Sequence, residues 1–158
     1  MSSPQDSGPV LTEEAGKSAL REHVVAKAFT ARERHGPEFD LAALERLFLD
    51  PECVRFPTTI RFDAGPLRAG EFAWPQPVGE SPKEGFVLNV HTAFEGRAEA
   101  LSLICAYHVV AVNYLDVATN VEAELFGATL LGIEVDDYYT RLCGLADELP
   151  AGDPSAAQ

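Results

Sequence analysis

The chain has 158 residues, 46% of them hydrophobic and 23% charged, which is typical of one soluble globular domain. Its formal net charge of −13 repels nucleic-acid backbones and therefore argues against a nucleic-acid partner. Three widely spaced cysteines, with no CxxC pair, argue against a structural zinc ribbon.

Two helices are predicted at the start of the chain. Thr12 can cap a helix whose first turn holds two glutamates, as the helix dipole favours. The sequence His35-Gly36-Pro37 ends that helix. Asp40 can cap a second, shorter helix, LAALERLFL, which stops at Asp50-Pro51 because the residue before a proline disfavours the helical conformation.

The middle of the chain predicts a small antiparallel sheet. CVRFPTTIRF, from Cys53, is rich in β-branched and aromatic residues, and Pro57 within it favours an edge strand. A segment dense in Gly and Pro surrounds a short extended piece, Glu71–Trp74. FVLNVHTAF, from Phe86, alternates its side chains between two faces and is the clearest strand of the chain.

Three further helices are predicted after the sheet, which makes the fold class α+β. Ala98–Leu115 is apolar nearly all round, as expected of a buried central helix. Thr119–Glu122 matches the S/T-x-x-E capping box, and Gly132 can end the helix that follows. The last helix carries one apolar stripe at helical spacing: Val135, Tyr138, Leu142, Leu145 and Leu149.

Domain limits and location follow from composition. Residues 1–10 and 150–158 are rich in small residues and proline and are predicted to be frayed tails around one domain, 11–149. The longest apolar run, Ala100–Val112, is too short to span a bilayer, so no membrane partner is expected. No basic segment followed by an apolar one opens the sequence, which predicts a reduced, cytoplasmic protein.

One histidine and two glutamates carry a family resemblance. His108 lies in the apolar helix that follows the strand FVLNVHTAF, and Glu122 and Glu124 lie in the next helix, EAELFGATLL. In this order of elements, residues 53–132 resemble minimal zinc-peptidase domains of the zincin class, including the ImmA-like peptidases. The resemblance implies a zincin-like frame with its active helix at His108.

The zincin motif itself is absent. HExxH places two histidines four residues apart on one helical face to bind zinc, and its glutamate activates water. At His108 the chain reads HVVAV, so Val109 and Val112 stand where the base and the second ligand are required. We therefore expect a non-catalytic zincin-like protein, without a cofactor, that acts through partner or self association, a homodimer included.

A second hypothesis keeps metal chemistry. His108, His91 and Glu122 or Glu124 could converge on zinc and form a divergent metal-dependent hydrolase or peptidase. The competing interpretation is structural: a lone histidine on an apolar helix is most often a hydrogen-bonded core residue, and Glu122 already belongs to a capping box.

A third hypothesis is a small-molecule-binding regulatory module. Arg68, Phe72 and Trp74 lie close together in the Gly/Pro-rich loop FDAGPLRAGEFAWPQP, a composition that suits an exposed binding surface. Trp74 could equally fold back onto the core. Glycine-rich phosphate loops of the GxxxxGK[ST] or GxGxxG type are absent.

Overall fold

Five α-helices and a three-stranded sheet make up residues 12–149, the part of the chain that this computed structural model describes. The tails predicted at 1–10 and 150–158 lie outside that part. In chain order the elements are α1 (Glu13–His35), α2 (Leu41–Leu49), β1 (Thr58–Phe62), β2 (Ala73–Pro77), β3 (Phe86–Val90), α3 (Ala98–Tyr114), α4 (Asn120–Leu131) and α5 (Val135–Ala146). The predicted α+β order of two helices, a small sheet and three helices is confirmed.

The helix starts follow local capping chemistry. Thr12 accepts a hydrogen bond from the N–H of Ala15 at 3.0 Å, and Asp40 accepts one from the N–H of Ala43 at 2.9 Å. Thr119 begins α4 with the predicted capping box. Each cap satisfies an N–H that has no partner within its helix, which typically stabilises the helix by about 1 kcal/mol.

The sheet is mixed, with strand order β1-β3-β2, so the prediction of an antiparallel sheet is correct for only one of its two pairings. β2 and β3 are antiparallel, whereas β1 and β3 are parallel. Connectivity explains the difference. After β1 the loop 63–72 carries the chain across to the far edge, β2 runs back, and β3 returns between the two strands in the direction of β1.

The two faces of the sheet have different environments. On the inner face Phe86, Leu88 and Val90 are buried, where the sheet packs against α2 and α3. On the outer face Arg61 donates two hydrogen bonds to the side-chain oxygen of Asn89, at 3.0 and 2.7 Å. Asn89 in turn donates to Gln76 at 3.0 Å, so one polar network crosses all three strands.

The central helix α3 is buried nearly all round, as predicted. With the 3₁₀ turn that follows it, the helix covers Ala98–Val117 and reaches the length and hydropathy of a membrane span. This stretch is longer than the apolar run Ala100–Val112 identified in the sequence. Of that stretch, 67% is buried inside the fold. Packing against the sheet on one side and α4 and α5 on the other explains its composition.

The stripe of α5 packs on α3 and α4 of the same chain. Tyr138 is fully buried and donates its hydroxyl hydrogen to the carbonyl of Leu103 at 2.5 Å. Its ring lies where a side chain on Gly127 would otherwise point, so glycine permits the close approach of α5 to α4. Tyr139, the next residue, is 52% exposed.

Candidate functional site

His108 is a hydrogen-bonded histidine within the core helix. Its Nδ1 lies 2.9 Å from the carbonyl oxygen of Ile104, one turn earlier. Because a carbonyl can only accept, Nδ1 carries the hydrogen. Burial lowers the pKa of His108 despite that bond and the nearby charge of Glu71, so the imidazole is neutral at physiological pH.

His91 and Glu122 serve as local caps. His91 Nδ1 accepts the N–H of Ala93 at 3.0 Å and begins a 3₁₀ turn. Glu122 Oε1 accepts the N–H and hydroxyl of Thr119 at 2.7 and 2.8 Å, while Arg21 lies 3.3 Å from its other oxygen. Burial raises the pKa of Glu122, but these hydrogen bonds and the charge of Arg21 outweigh it and hold the pKa below its ordinary value.

Glu124 has its own local partner, and the predicted ligand set does not converge. Its Oε2 accepts from the side-chain amide of Asn120 at 3.3 Å. Within residues 12–149, three potential ligand atoms lie within 4.8 Å of one another only in the group His35, Asp50 and Cys53. The sequence did not indicate this group, because its members are spread over two helix ends and a loop.

Asp50 is the centre of that group, which together with Arg34 we call the Asp50 latch. Its Oδ2 lies 2.7 Å from Arg34 Nε, 2.7 Å from His35 Nε2 and 3.5 Å from Cys53 Sγ. Its Oδ1 accepts the N–H of Glu52 at 2.9 Å. The latch therefore ties the end of α1 to the loop that follows α2 with one almost fully buried carboxylate.

The protonation states of the latch favour a structural role. Burial raises the pKa of Asp50, but the four donors outweigh it and hold the pKa well below its ordinary value. Burial, with the nearby carboxylate, raises the pKa of Cys53 to about 11, so the thiol stays protonated and donates. Nitrogen, oxygen and sulfur are suitable zinc donors, yet an ion here would have to displace both the guanidinium of Arg34 and the thiol proton.

The residues predicted as a binding loop lie around β2. Phe72 packs against the core and stacks edge-on with Phe94 at 6.2 Å between ring centroids. Trp74 is 38% exposed, an intermediate between the lid and the free surface that the sequence allowed. The N–H of Arg68 donates to the carboxylate of Glu71 at 2.7 Å, and its side chain is exposed.

A small cavity of about 260 Å³, the basic pocket, lies where α1, the loop after α2 and the end of α3 meet. It is lined by His23, Lys27, Pro51, Arg55, Asn113 and Tyr114. No carboxylate is among these lining residues, although the whole chain carries a net charge of −13. The pocket is therefore a local concentration of positive charge on an acidic protein.

Asn113 positions one wall of the basic pocket. Its side-chain oxygen accepts the N–H of Arg55 at 2.6 Å, and its amide donates to the carbonyl of Cys53 at 2.9 Å. Lys27 Nζ donates to the carbonyl of Glu52 at 2.8 Å. The loop is thus held from α1 and α3, while the Asp50 latch holds its inner side.

Tyr114 and His23 form the opposite wall. The hydroxyl of Tyr114 lies 2.6 Å from His23 Nδ1, and the rings pack edge to face. Burial raises the pKa of Tyr114 to about 12, so at neutral pH the phenol is protonated and acts as a hydrogen-bonding group, not as a nucleophile. α3 ends at Tyr114, and the next residue, Leu115, has a positive φ of 52°.

The positive charges of the pocket lack carboxylate partners. None of His23, Lys27 and Arg55 lies within ion-pair distance of an acidic group between residues 12 and 149. The guanidinium of Arg55 lies over the ring of Phe56, with 4.9 Å between its central carbon and the ring centroid. Such a set of unpaired donors around a cavity suits an anionic ligand.

A larger open groove of about 660 Å³ runs along the outer flank of α1 and reaches Leu125 on α4. Its charged residues are two acids, Glu14 and Glu22, and two bases, Lys17 and Arg21. These charges balance, so the groove does not favour a ligand of either charge. The basic pocket is the better candidate, because its lining includes basic side chains and no acidic ones.

Comparison with known proteins yields no relative: no protein-family model matches the chain, and no curated protein or solved structure is significantly similar to it. The resemblance to zincin-like peptidases therefore stays a prediction.

Proposed function

We propose that this protein is a non-catalytic binding domain that takes a small phosphate-bearing anion in the basic pocket. The observation that carries this proposal is the group of three basic side chains, His23, Lys27 and Arg55, around one cavity without a carboxylate among its lining residues. In a chain of net charge −13, an uncompensated basic cluster lowers the free energy of a bound anion.

Charge and size favour a phosphate group. A guanidinium offers paired donors that match phosphate oxygens, and a lysine adds a compact charge. The positive charges of Lys27 and Arg55 suit a dianion better than a single carboxylate. At about 260 Å³ the cavity lies just below the range of about 300–1,000 Å³ common for ligand pockets, so the organic part of the ligand is short.

The pair His23 and Tyr114 adds an adjustable donor. When His23 is protonated, its Nδ1–H donates to the hydroxyl oxygen of Tyr114, 2.6 Å away. The hydroxyl hydrogen then points elsewhere and can donate to an anion in the cavity. The lining residues include no serine, cysteine or carboxylate side chain that could serve as a nucleophile, which favours binding over covalent turnover.

Titration with inorganic phosphate tests the proposal. We expect saturable binding by calorimetry at constant ionic strength, with acetate binding more weakly. Arg55→Gln and Lys27→Gln each remove a charge-assisted hydrogen bond, so the dissociation constant should rise about tenfold or more.

Arg46→Gln and Lys83→Gln are matched controls, because both are exposed, lie outside the pocket lining and have no ion-pair partner between residues 12 and 149. They should leave phosphate binding unchanged. If all four substitutions weaken phosphate binding equally, the effect comes from the net charge of the protein and not from the pocket. If the wild type shows no saturable phosphate binding, the proposal is wrong.

A further inference from the structure

The charged side chains of the basic pocket offer hydrogen-bond donors and no acceptor. Lys27 directs one N–H of its ammonium group at the carbonyl of Glu52, 2.8 Å away, and keeps its other donors. The guanidinium of Arg55 has donors alone. The side-chain oxygen of Asn113 is buried and already accepts the backbone N–H of Arg55 at 2.6 Å. A ligand in this part of the pocket must therefore bring acceptors.

His23 and Tyr114, the other polar side chains of the lining, bond to each other at 2.6 Å. While the imidazole is neutral, this bond leaves the pair with one further N–H or O–H donor and one acceptor. When the imidazole is protonated, the pair keeps donors only on the ring. The lining side chains thus offer at most one acceptor, so a ligand with several hydroxyl groups finds few partners for them there.

Rings make up the remaining surface of the basic pocket: His23, Tyr114 and Pro51. The first two pack edge to face, with 5.5 Å between ring centroids and an interplanar angle of 86°. Tyr114 is half-buried and bonded to His23, so its ring is held in position. An aromatic ligand that meets such rings edge-on or in offset stacking gains more than its buried area alone provides. This surface favours a flat, unsaturated group.

The volume of the basic pocket limits the ligand to one ring. An apolar protein cavity of about 150 Å³ holds a benzene molecule. The pocket measures about 260 Å³, so it can enclose one such ring and a phosphate group, but not two rings.

We propose that the basic pocket takes an aryl phosphate, the phosphate monoester of a single aromatic ring. Its phosphate oxygens accept hydrogen bonds from Lys27 and Arg55, and its ring lies against Tyr114 and Pro51. This assignment rests on the proposed function, which it narrows from any small phosphate-bearing anion to one class. Sugar phosphates are disfavoured, because their hydroxyl groups need acceptors that the lining side chains lack.

Calorimetric titration with four phosphates tests the assignment. The measurements are made at constant ionic strength and at about pH 8, above the second pKa of about 6 typical of phosphate monoesters. Phenyl phosphate should bind about three- to tenfold more tightly than inorganic phosphate or butyl phosphate, and glycerol phosphate should bind no more tightly than inorganic phosphate. If inorganic phosphate binds but phenyl phosphate is no tighter than butyl phosphate or glycerol phosphate, this assignment is wrong and the proposed function stands. If no phosphate binds, both fail.

Substitution of Tyr114 tests the contact with the ring. Tyr114→Leu should bring the ratio of phenyl phosphate to inorganic phosphate affinity close to one, whereas Tyr114→Phe keeps the ring and should keep the ratio. Tyr139→Leu is the matched control, because Tyr139 is 52% exposed on α5 and lies outside the lining. Circular dichroism checks that each variant folds. A folded Tyr114→Leu variant with the wild-type ratio would overturn the assignment.

A phosphotyrosine peptide identifies the source of the aryl phosphate, since it presents the same group on a polypeptide. Tighter binding of a short peptide than of phenyl phosphate would indicate that the group arrives on a protein. Weaker binding would indicate a free small molecule. Both results support the aryl phosphate chemistry, and binding of neither compound above the level of inorganic phosphate would refute it.

Discussion

The side-chain oxygen of Asn113, at the end of α3, accepts a hydrogen bond from the backbone N–H of Arg55 at 2.6 Å. This contact joins residues 58 positions apart in the chain and places a basic side chain at the mouth of a cavity. Asn113 is itself buried, and its side-chain oxygen and nitrogen both form hydrogen bonds with the loop.

Replacing Asn113 should affect both stability and binding. Asn113→Ala leaves the carbonyl of Cys53 and the N–H of Arg55 without their partner, which we expect to lower the free energy of unfolding by about 1–3 kcal/mol. Phosphate affinity should fall with it, because the loop that holds Arg55 loses its anchor. Asn120→Ala, an exposed asparagine on α4, is the control for denaturant unfolding and calorimetry. Wild-type affinity in a folded Asn113→Ala variant would contradict this role.

The Asp50 latch predicts a defined pH dependence of stability. Because the folded-state pKa of Asp50 is depressed, its contribution is complete above the unfolded-state pKa of about 3.9 and is lost as pH falls below that value toward the folded pKa. Asp50→Asn should cost about 2 kcal/mol at neutral pH, from weakened charged hydrogen bonds.

Urea unfolding across the acidic range measures the effect. The difference between wild type and Asp50→Asn should be constant near neutrality and should shrink only in acid. An unchanged difference down to the lowest pH at which both proteins fold would contradict the linkage. His35→Gln tests whether the imidazole contributes separately.

Two glycines in neighbouring helices should respond oppositely to alanine. At Gly127 the ring of Tyr138 occupies the space of a β-carbon, so Gly127→Ala should destabilise by about 1–3 kcal/mol. At Gly144 no atom lies within 4 Å of that position, so Gly144→Ala should stabilise α5 by about 0.5–1 kcal/mol. Thermal melts of the two variants make the comparison. Equal effects would show that α5 does not pack on α4 as described.

Metal content tests the zinc hypothesis directly. Protein purified without chelator should contain far less than one zinc per chain by mass spectrometry, because His91, His108 and Glu122 are engaged in local hydrogen bonds. Stoichiometric zinc lost in His108→Ala would restore the predicted site. Stoichiometric zinc lost in Cys53→Ser would instead assign metal binding to the Asp50 latch.

The features that were predicted correctly from the sequence are those that local chemistry determines. Thr12, Asp40 and the capping box at Thr119 act within one turn of their helices, so their patterns are readable without the fold. The parallel pairing of β1 with β3 depends on which edge the chain reaches after residue 62, and no local pattern records that choice.

The basic pocket could not be predicted from the sequence for a related reason. Lys27 and Arg55 come from different elements, and Tyr114 lies 91 residues from His23, to which it bonds. Each residue alone is ordinary on a protein surface. The signal available in the sequence was the concentration of basic residues before Arg97, which indicates a charge asymmetry but not a pocket.

Because its walls come from three distant segments, the basic pocket exists only when the chain is folded. An anion that occupies it binds the native state alone and shifts unfolding by mass action, with a free energy that grows as the logarithm of its concentration. The buffer salt thereby becomes a variable of thermal stability, and melts in phosphate and in an amine buffer of equal ionic strength will have different midpoints.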